Sequence, residues 1–213
     1  MRFNLCVFAS GNGSNLKAII NASLSGRITS RVSLVISNNS NSGALRTAAK
    51  YNISYKHISG IMFDSQKEYT KNLLAELKNN KIDMILLAGY MKMLDPAVIR
   101  KYRNRIINIH PALLPKFGGK GMFGIHVHEA VIKSGDAVTG ASVHFVNEVY
   151  DSGAVILQKQ VKVKPGDDAV TLQKRVLRAE HKLYPEAIKL FEEGRVKVRN
   201  NKVFCTPHPQ PLS

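Results

Sequence analysis

Asn108 and His110 stand two residues apart at the end of an apolar run, Arg105-Ile106-Ile107-Asn108-Ile109-His110-Pro111. In an extended chain, residues at i and i+2 share one face, so an amide and an imidazole point the same way. Pro111 favours an extended backbone at His110. The amide can donate to a developing oxyanion, and the imidazole can give or take a proton near neutral pH. Read structurally, the same pair is a buried Asn and His satisfied by nearby backbone groups. Asp151 lies in a second polar segment, Asn147-Glu148-Val149-Tyr150-Asp151-Ser152-Gly153. Its carboxylate could hold an imidazole in the charged form and raise its pKa, or it could be a turn residue bonding its own backbone. Whether it meets His110 depends on the fold.

A third segment, Ser10-Gly11-Asn12-Gly13-Ser14-Asn15, joins an apolar run to a helical pattern. Glycines allow close backbone approach, and a helix N-terminus offers free N–H groups to an anion. A dinucleotide site would need a third glycine, where Leu16 stands, and an acid after the second strand, where Ser37-Asn38-Asn39 stand. The loop also lacks the lysine of a P-loop. A monophosphate fits better than NAD or ATP, against the plain alternative of a capped strand-to-helix turn. Among the other histidines, His126 and His128 form an H-x-H pair at a helix start with no carboxylate cluster, so no metal is expected. His144, in Ser142-Val143-His144-Phe145-Val146, is a candidate to line the site.

These residues need elements to position them. Strands are expected over Phe3–Ala9, Arg31–Ser37, Ile53–Ile58, Asp83–Ala88 and Arg105–His110. Between them, helices are expected over Asn15–Leu24, Ala44–Tyr51, Asp64–Lys78 and Pro96–Lys101. Such alternation implies a three-layer α/β fold, a mostly parallel twisted sheet with a Rossmann-like first half and helices on both faces. Ligands of such sheets bind beyond the carboxyl ends of strands, which here means the loops after Ala9, Ala88 and His110. A helix over His126–Lys133 and strands over Thr139–Val146 and Ala154–Val163 follow, the strands running antiparallel beside the sheet. Asp168 to Glu193 reads as one long helix or a pair, with Pro185 breaking or kinking it. Short strands are expected within Arg195–Phe204. The chain reads as one domain, 1–204, with a tail at 205–213.

With 213 residues and 44% hydrophobic content, the chain can bury a full core. Its two cysteines, Cys6 and Cys205, form neither a zinc spacing nor a disulfide framework, so a reducing cytoplasm is the expected location. No signal peptide and no membrane-spanning segment are read in it. The net charge of +16 is spread along the chain. It suits anionic ligands but reads mainly as a solvated surface, not a nucleic-acid arm.

Together these segments resemble the glycinamide ribonucleotide formyltransferases within the folate-dependent formyltransferase family. The resemblance is carried by Val7-Phe8-Ala9-Ser10-Gly11-Asn12-Gly13-Ser14-Asn15-Leu16, Leu87-Ala88-Gly89-Tyr90-Met91 and Asn108-Ile109-His110-Pro111-Ala112-Leu113-Leu114-Pro115. It continues through Ser142–Val146, Asp151-Ser152-Gly153, Ile156-Leu157-Gln158, Glu180-His181 and Tyr184-Pro185, across almost the whole chain. It implies formyl transfer from 10-formyltetrahydrofolate, as co-substrate, to the amine of glycinamide ribonucleotide, without metal, nucleic acid or membrane, by a monomer or homodimer. Asn108, His110 and Asp151 would be the catalytic trio. Gly13, Ser14 and Asn15 would hold the substrate phosphate, and Glu180 its ribose. Met91, Lys92, Met93 and Leu94 would line the folate site together with Asn147, Glu148, Val149, Tyr150 and Asn108.

Three positions depart from the family pattern. Gln66 follows Phe63-Asp64-Ser65 where an arginine that helps bind folate is common; Gln66 takes that place, and Lys67, next to it, is not equivalent to a fork-shaped guanidinium. Leu177 replaces a glutamine often found near the substrate. The loop Phe117–Gly124 is long and glycine-rich, either a mobile lid or an extended surface loop. Two other functions compete: a formyltetrahydrofolate hydrolase using the same site, and a basic Rossmann-like binding protein without catalysis.

Overall fold

The computed structural model of the chain describes residues 1–199 and 202–205. Its first half alternates β1 (Asn4–Phe8), α1 (Ser14–Leu24), β2 (Arg31–Ser37), α2 (Gly43–Lys50), β3 (Ser54–His57), α3 (Gln66–Asn79), β4 (Met84–Leu87), α4 (Pro96–Lys101) and β5 (Ile106–His110). A 3₁₀ turn at Gly60–Met62, not expected from the sequence, precedes α3. Then come α5 (Ile125–Ser134), β6 (Val138–Phe145), β7 (Val155–Lys162), α6 (Ala169–Glu192), β8 (Val196–Arg199) and β9 (Lys202–Cys205). Seven strands form one sheet in the order β3-β2-β1-β4-β5-β6-β7, and β8 and β9 pair separately. Strands β1 to β5 run parallel. Strands β6 and β7 join them antiparallel. The expected tail at 205–213 lies outside the described residues, except Cys205, which ends β9.

Both sheet faces are covered, which is why the central strands read as unbroken apolar runs. Alternation along β1 sends Leu5 and Val7 to one side and Cys6 and Phe8 to the other. The first side packs with Leu16 of α1, Val131 of α5 and Leu172 of α6. The second packs with Leu73 and Leu77 of α3 and Val98 of α4. Helix α6 lies between α1 and α5, touching both.

Pro185 does not break α6, which runs as one helix with the proline inside it. An interior proline costs about 3 kcal/mol, but the surrounding face is anchored. Leu183, Tyr184, Ala187 and Ile188 are all 3% exposed or less, and each large apolar side chain so buried contributes about 1.5–3 kcal/mol. The Tyr184 hydroxyl lies 3.0 Å from the carbonyl of Leu87, the last residue of β4, and 3.1 Å from that of Ile107, in β5. Packing on the sheet outweighs the missing backbone bond.

Candidate active site

Beyond the carboxyl ends of β1, β4 and β5 lies a cavity of about 620 Å³. That is the size of a small-molecule site. Asn108, His110 and Asp151 all border it. Strand β5 delivers the first two and the β6–β7 loop the third, so residues distant in sequence meet through sheet order.

His110 is 3% exposed. Its Nε2 lies 2.8 Å from the carbonyl of Phe117, and a carbonyl only accepts, so Nε2 carries a proton. Nδ1 is the atom left for chemistry, and it faces Asp151 Oδ2 at 3.5 Å. Burial pushes the His110 pKa down, and the Asp151 charge and the Phe117 carbonyl push it up without overcoming burial. The carboxylate acts in the direction expected, but the ring sits below the ordinary histidine value and is neutral at pH 7. For Asp151, burial pushes the carboxyl up. The neighbouring His144, whose Nε2 lies 3.5 Å from Oδ1, the His110 charge and the Gly119 N–H, which donates to Oδ2 at 2.9 Å, bring it below the usual carboxylate value.

His144 completes the group. Antiparallel register sets it directly opposite Asn108. Its Nδ1 is 2.8 Å from the Phe145 carbonyl and therefore protonated, leaving Nε2 to accept from Asn108 Nδ2 at 3.0 Å. That bond fixes the orientation of the Asn108 amide and leaves its second N–H free for a ligand oxygen. Sequence patterning marks His144 as a polar residue in an apolar strand, but only the register reveals its partner.

One end of the cavity is the loop Gly11–Asn15. Gly13 caps α1 in the left-handed region at φ 77°, with no side-chain cap and no acidic residue in the first turn. The first N–H groups of α1 are thus left for an anion. A Cβ on Gly13 would stand 2.8 Å from the Ala44 backbone, so the position requires glycine on two counts. Ser14, Asn15 and Glu180 also border this end. Asn15 donates to Glu180 Oε2 at 2.6 Å, while its Oδ1 is buried without a partner. Burial raises the Glu180 pKa, partly offset by the Asn15 amide.

The opposite wall is formed by Met91, Lys92, Met93 and Leu94 after β4, with Asn147, Val149 and Tyr150 from the β6–β7 loop. Met91, Val149 and Tyr150 are 46%, 63% and 42% exposed, an apolar lip on the cavity. Two expected members lie outside the lining. Glu148 is exposed and pairs with Arg100 at 3.4 Å. Gln66 begins α3, where its amide donates to Asp95 at 2.7 Å. Gln66 therefore reaches this wall only through Asp95, the residue after Leu94.

The glycine-rich loop borders the cavity from Gly119 to Gly124. Its base approaches Asp151 so closely that a Cβ on Gly118 would stand 3.1 Å from the Asp151 Cβ. The H-x-H pair diverges: His126 is exposed and meets Glu129 at 3.1 Å, while His128 is buried in the cavity wall. Burial, then the His110 charge, lowers the His128 pKa from 6.5 to about 4. Unfolded, this imidazole takes a proton near pH 6.5; folded, it resists to about pH 4, so stability falls as the pH drops through that window. His128→Gln should therefore remove about 3 kcal/mol of the stability lost between pH 7 and pH 4. Urea unfolding of both proteins at the two pH values checks this, and identical acid losses would contradict it.

The sequence matches the formyl transferase family over residues 3–188. It is 39% identical over 201 residues to the phosphoribosylglycinamide formyltransferase of Escherichia coli, covering 94% of this chain and 92% of that one. It is 38% identical over 208 residues to the chloroplastic phosphoribosylglycinamide formyltransferase of Arabidopsis thaliana, covering 95% and 70%. Its structure superimposes on glycinamide ribonucleotide transformylase 1 from Symbiobacterium toebii with a TM-score of 0.90 at 35% identity, covering 97% and 95% of the two chains. The cavity thus lies in a chain that belongs to the formyl transferase family, among the phosphoribosylglycinamide formyltransferases.

Proposed function

We propose that this chain transfers the formyl group of 10-formyltetrahydrofolate to the primary amine of glycinamide ribonucleotide, a step of purine biosynthesis, releasing formylglycinamide ribonucleotide and tetrahydrofolate. One observation carries the reading: an amide, a neutral imidazole and an ionised carboxylate converge in a cavity that has an uncapped helix N-terminus at one end and an apolar lip on the opposite wall. A phosphoribosyl group suits the first end, with Glu180 and the free Asn15 Oδ1 facing its hydroxyls. A flat aromatic folate suits the second.

The amine attacks the formyl carbon, a C–N bond forms, and the carbonyl electrons move to oxygen. The free N–H of Asn108 donates to that oxyanion. The attacking nitrogen passes its proton to Nδ1 of His110, neutral beforehand. The imidazolium gains Asp151 as counter-ion, then returns the proton to the folate nitrogen as its bond to carbon breaks. Asp151 remains ionised throughout. On this reading residues 1–204 are one formyltransferase domain, acting in the cytoplasm on small molecules as a monomer or homodimer.

The deciding assay measures tetrahydrofolate release by purified protein with and without glycinamide ribonucleotide. Release that depends on the ribonucleotide is expected. Equal release without it would assign a hydrolase instead, and no release with tight RNA binding would assign a binding module.

A further inference from the structure

The two reactants in the proposed reaction bring two anions to the cavity, a phosphate and the carboxylates of the folate tail. Among the described residues only two lysines and no arginine border the cavity, Lys92 and Lys120. The phosphate end has no cation of its own. The loop from Ser10 to Asn15 carries none, and α6 faces it with Gln173, Leu177 and Glu180. A phosphate bound there would rest on backbone N–H groups beside a carboxyl group, with its charge otherwise unanswered.

The two lysines come from segments that lead into different cores. Lys92 lies two residues before Leu94, which is buried in the core formed with α3 and α4. Lys120 lies on the loop that runs directly into α5, and α5 shares its core with α1 and α6, the helices that frame the phosphate end. Lys120 is exposed and, among the described residues, pairs with no carboxylate, whereas its neighbour Lys116 is held by Asp136 at 2.7 Å. Gly119 and Gly121 flank it at φ 101° and 89°, with nothing within 4 Å of a Cβ placed on either. The tip is a cation between two glycines, the first anchored to Asp151 through its N–H and to the Met122 N–H through its carbonyl, the second with φ in the left-handed region.

Resting on the reaction proposed above, we propose that Lys120 is a lid cation that binds the phosphate of the ribonucleotide. The base of the same loop touches the reaction centre, through the Phe117 carbonyl on His110 and the Gly119 N–H on Asp151. Capture of the phosphate by the tip therefore also braces the catalytic pair, using binding energy from a part of the substrate that does not react.

Ribose 5-phosphate is the probe, because its binding to the whole protein by calorimetry needs neither folate nor turnover. Wild-type protein should bind it with an affinity that falls as salt rises. K120Q should bind it about tenfold more weakly, and K92Q as tightly as wild type. In turnover, K120Q should raise KM for the ribonucleotide by the same factor and leave KM for 10-formyltetrahydrofolate unchanged. Trypsin cleavage after Lys120 in wild-type protein should slow when ribose 5-phosphate is added. If wild type binds the probe and K120Q binds it equally, or if K120Q raises KM for the folate instead, the role of Lys120 is overturned. If wild type does not bind the probe at all, the ribonucleotide reading itself falls.

Discussion

His110→Ala lowers kcat by about 10³–10⁴-fold while the protein stays folded. The loss is large because the ring has no substitute. Its Nε2 is committed to the Phe117 carbonyl and its Nδ1 faces Asp151. His144, another imidazole bordering the cavity, is bonded to the Phe145 carbonyl through one nitrogen and to Asn108 through the other. Neither of its nitrogens is free to take the proton of the attacking amine. His128 resists protonation down to about pH 4 and is no better placed. The fold should survive because the ring borders the cavity at a strand end, and removing a buried neutral imidazole also removes its desolvation penalty on acidification. Steady-state kinetics with saturating substrates, paired with thermal unfolding, separates the two effects. Turnover within a fewfold of wild type in a normally melting His110→Ala protein would remove His110 from the chemistry.

Sequence reasoning reaches this centre only in part. The runs that become β1, β4 and β5 are apolar throughout because both faces of a parallel sheet are covered, so polar residues at their ends stand out. That is why the glycine loop and the Asn108–His110 pair are legible before any fold is known. The pairing of β5 with β6 is not legible. A shift of one residue in that register would turn His144 to the other face, and nothing local in Ser142–Val146 sets it. Pro185 shows where a local rule leaves the choice open: it allows one long helix or a pair, and the buried helix face keeps it one. The H-x-H pair splits for a geometric reason. Two residues apart on a helix are about 200° apart around its axis, so His126 turns to solvent when His128 turns inward. Gln66 is read as a folate contact by its place after Phe63-Asp64-Ser65, yet Asp95, far away in sequence, takes its amide.

Asp151→Asn lowers kcat by about 10²–10³-fold, and asparagine is the informative replacement. Asp151 sits at φ 52°, in the left-handed region. Asn tolerates that region about as well as Asp, so the backbone is not newly strained. The asparagine oxygen can still accept from the Gly119 N–H, which keeps the base of the lid in place. Only the negative charge is lost. That charge is what raises the His110 pKa against burial and what steadies the imidazolium once the substrate proton arrives. Without it His110 holds a proton less readily, so its pKa falls further below the ordinary histidine value. The acid limb of kcat/KM due to His110 should therefore move to lower pH, while kcat on the plateau drops. A residue that merely shaped the loop would lower kcat without moving that limb. Ribose 5-phosphate binding should be unchanged, because the phosphate end does not contain Asp151. If the variant turns over normally, or loses activity with its pH profile in place, the carboxylate is not the counter-ion of a working imidazolium.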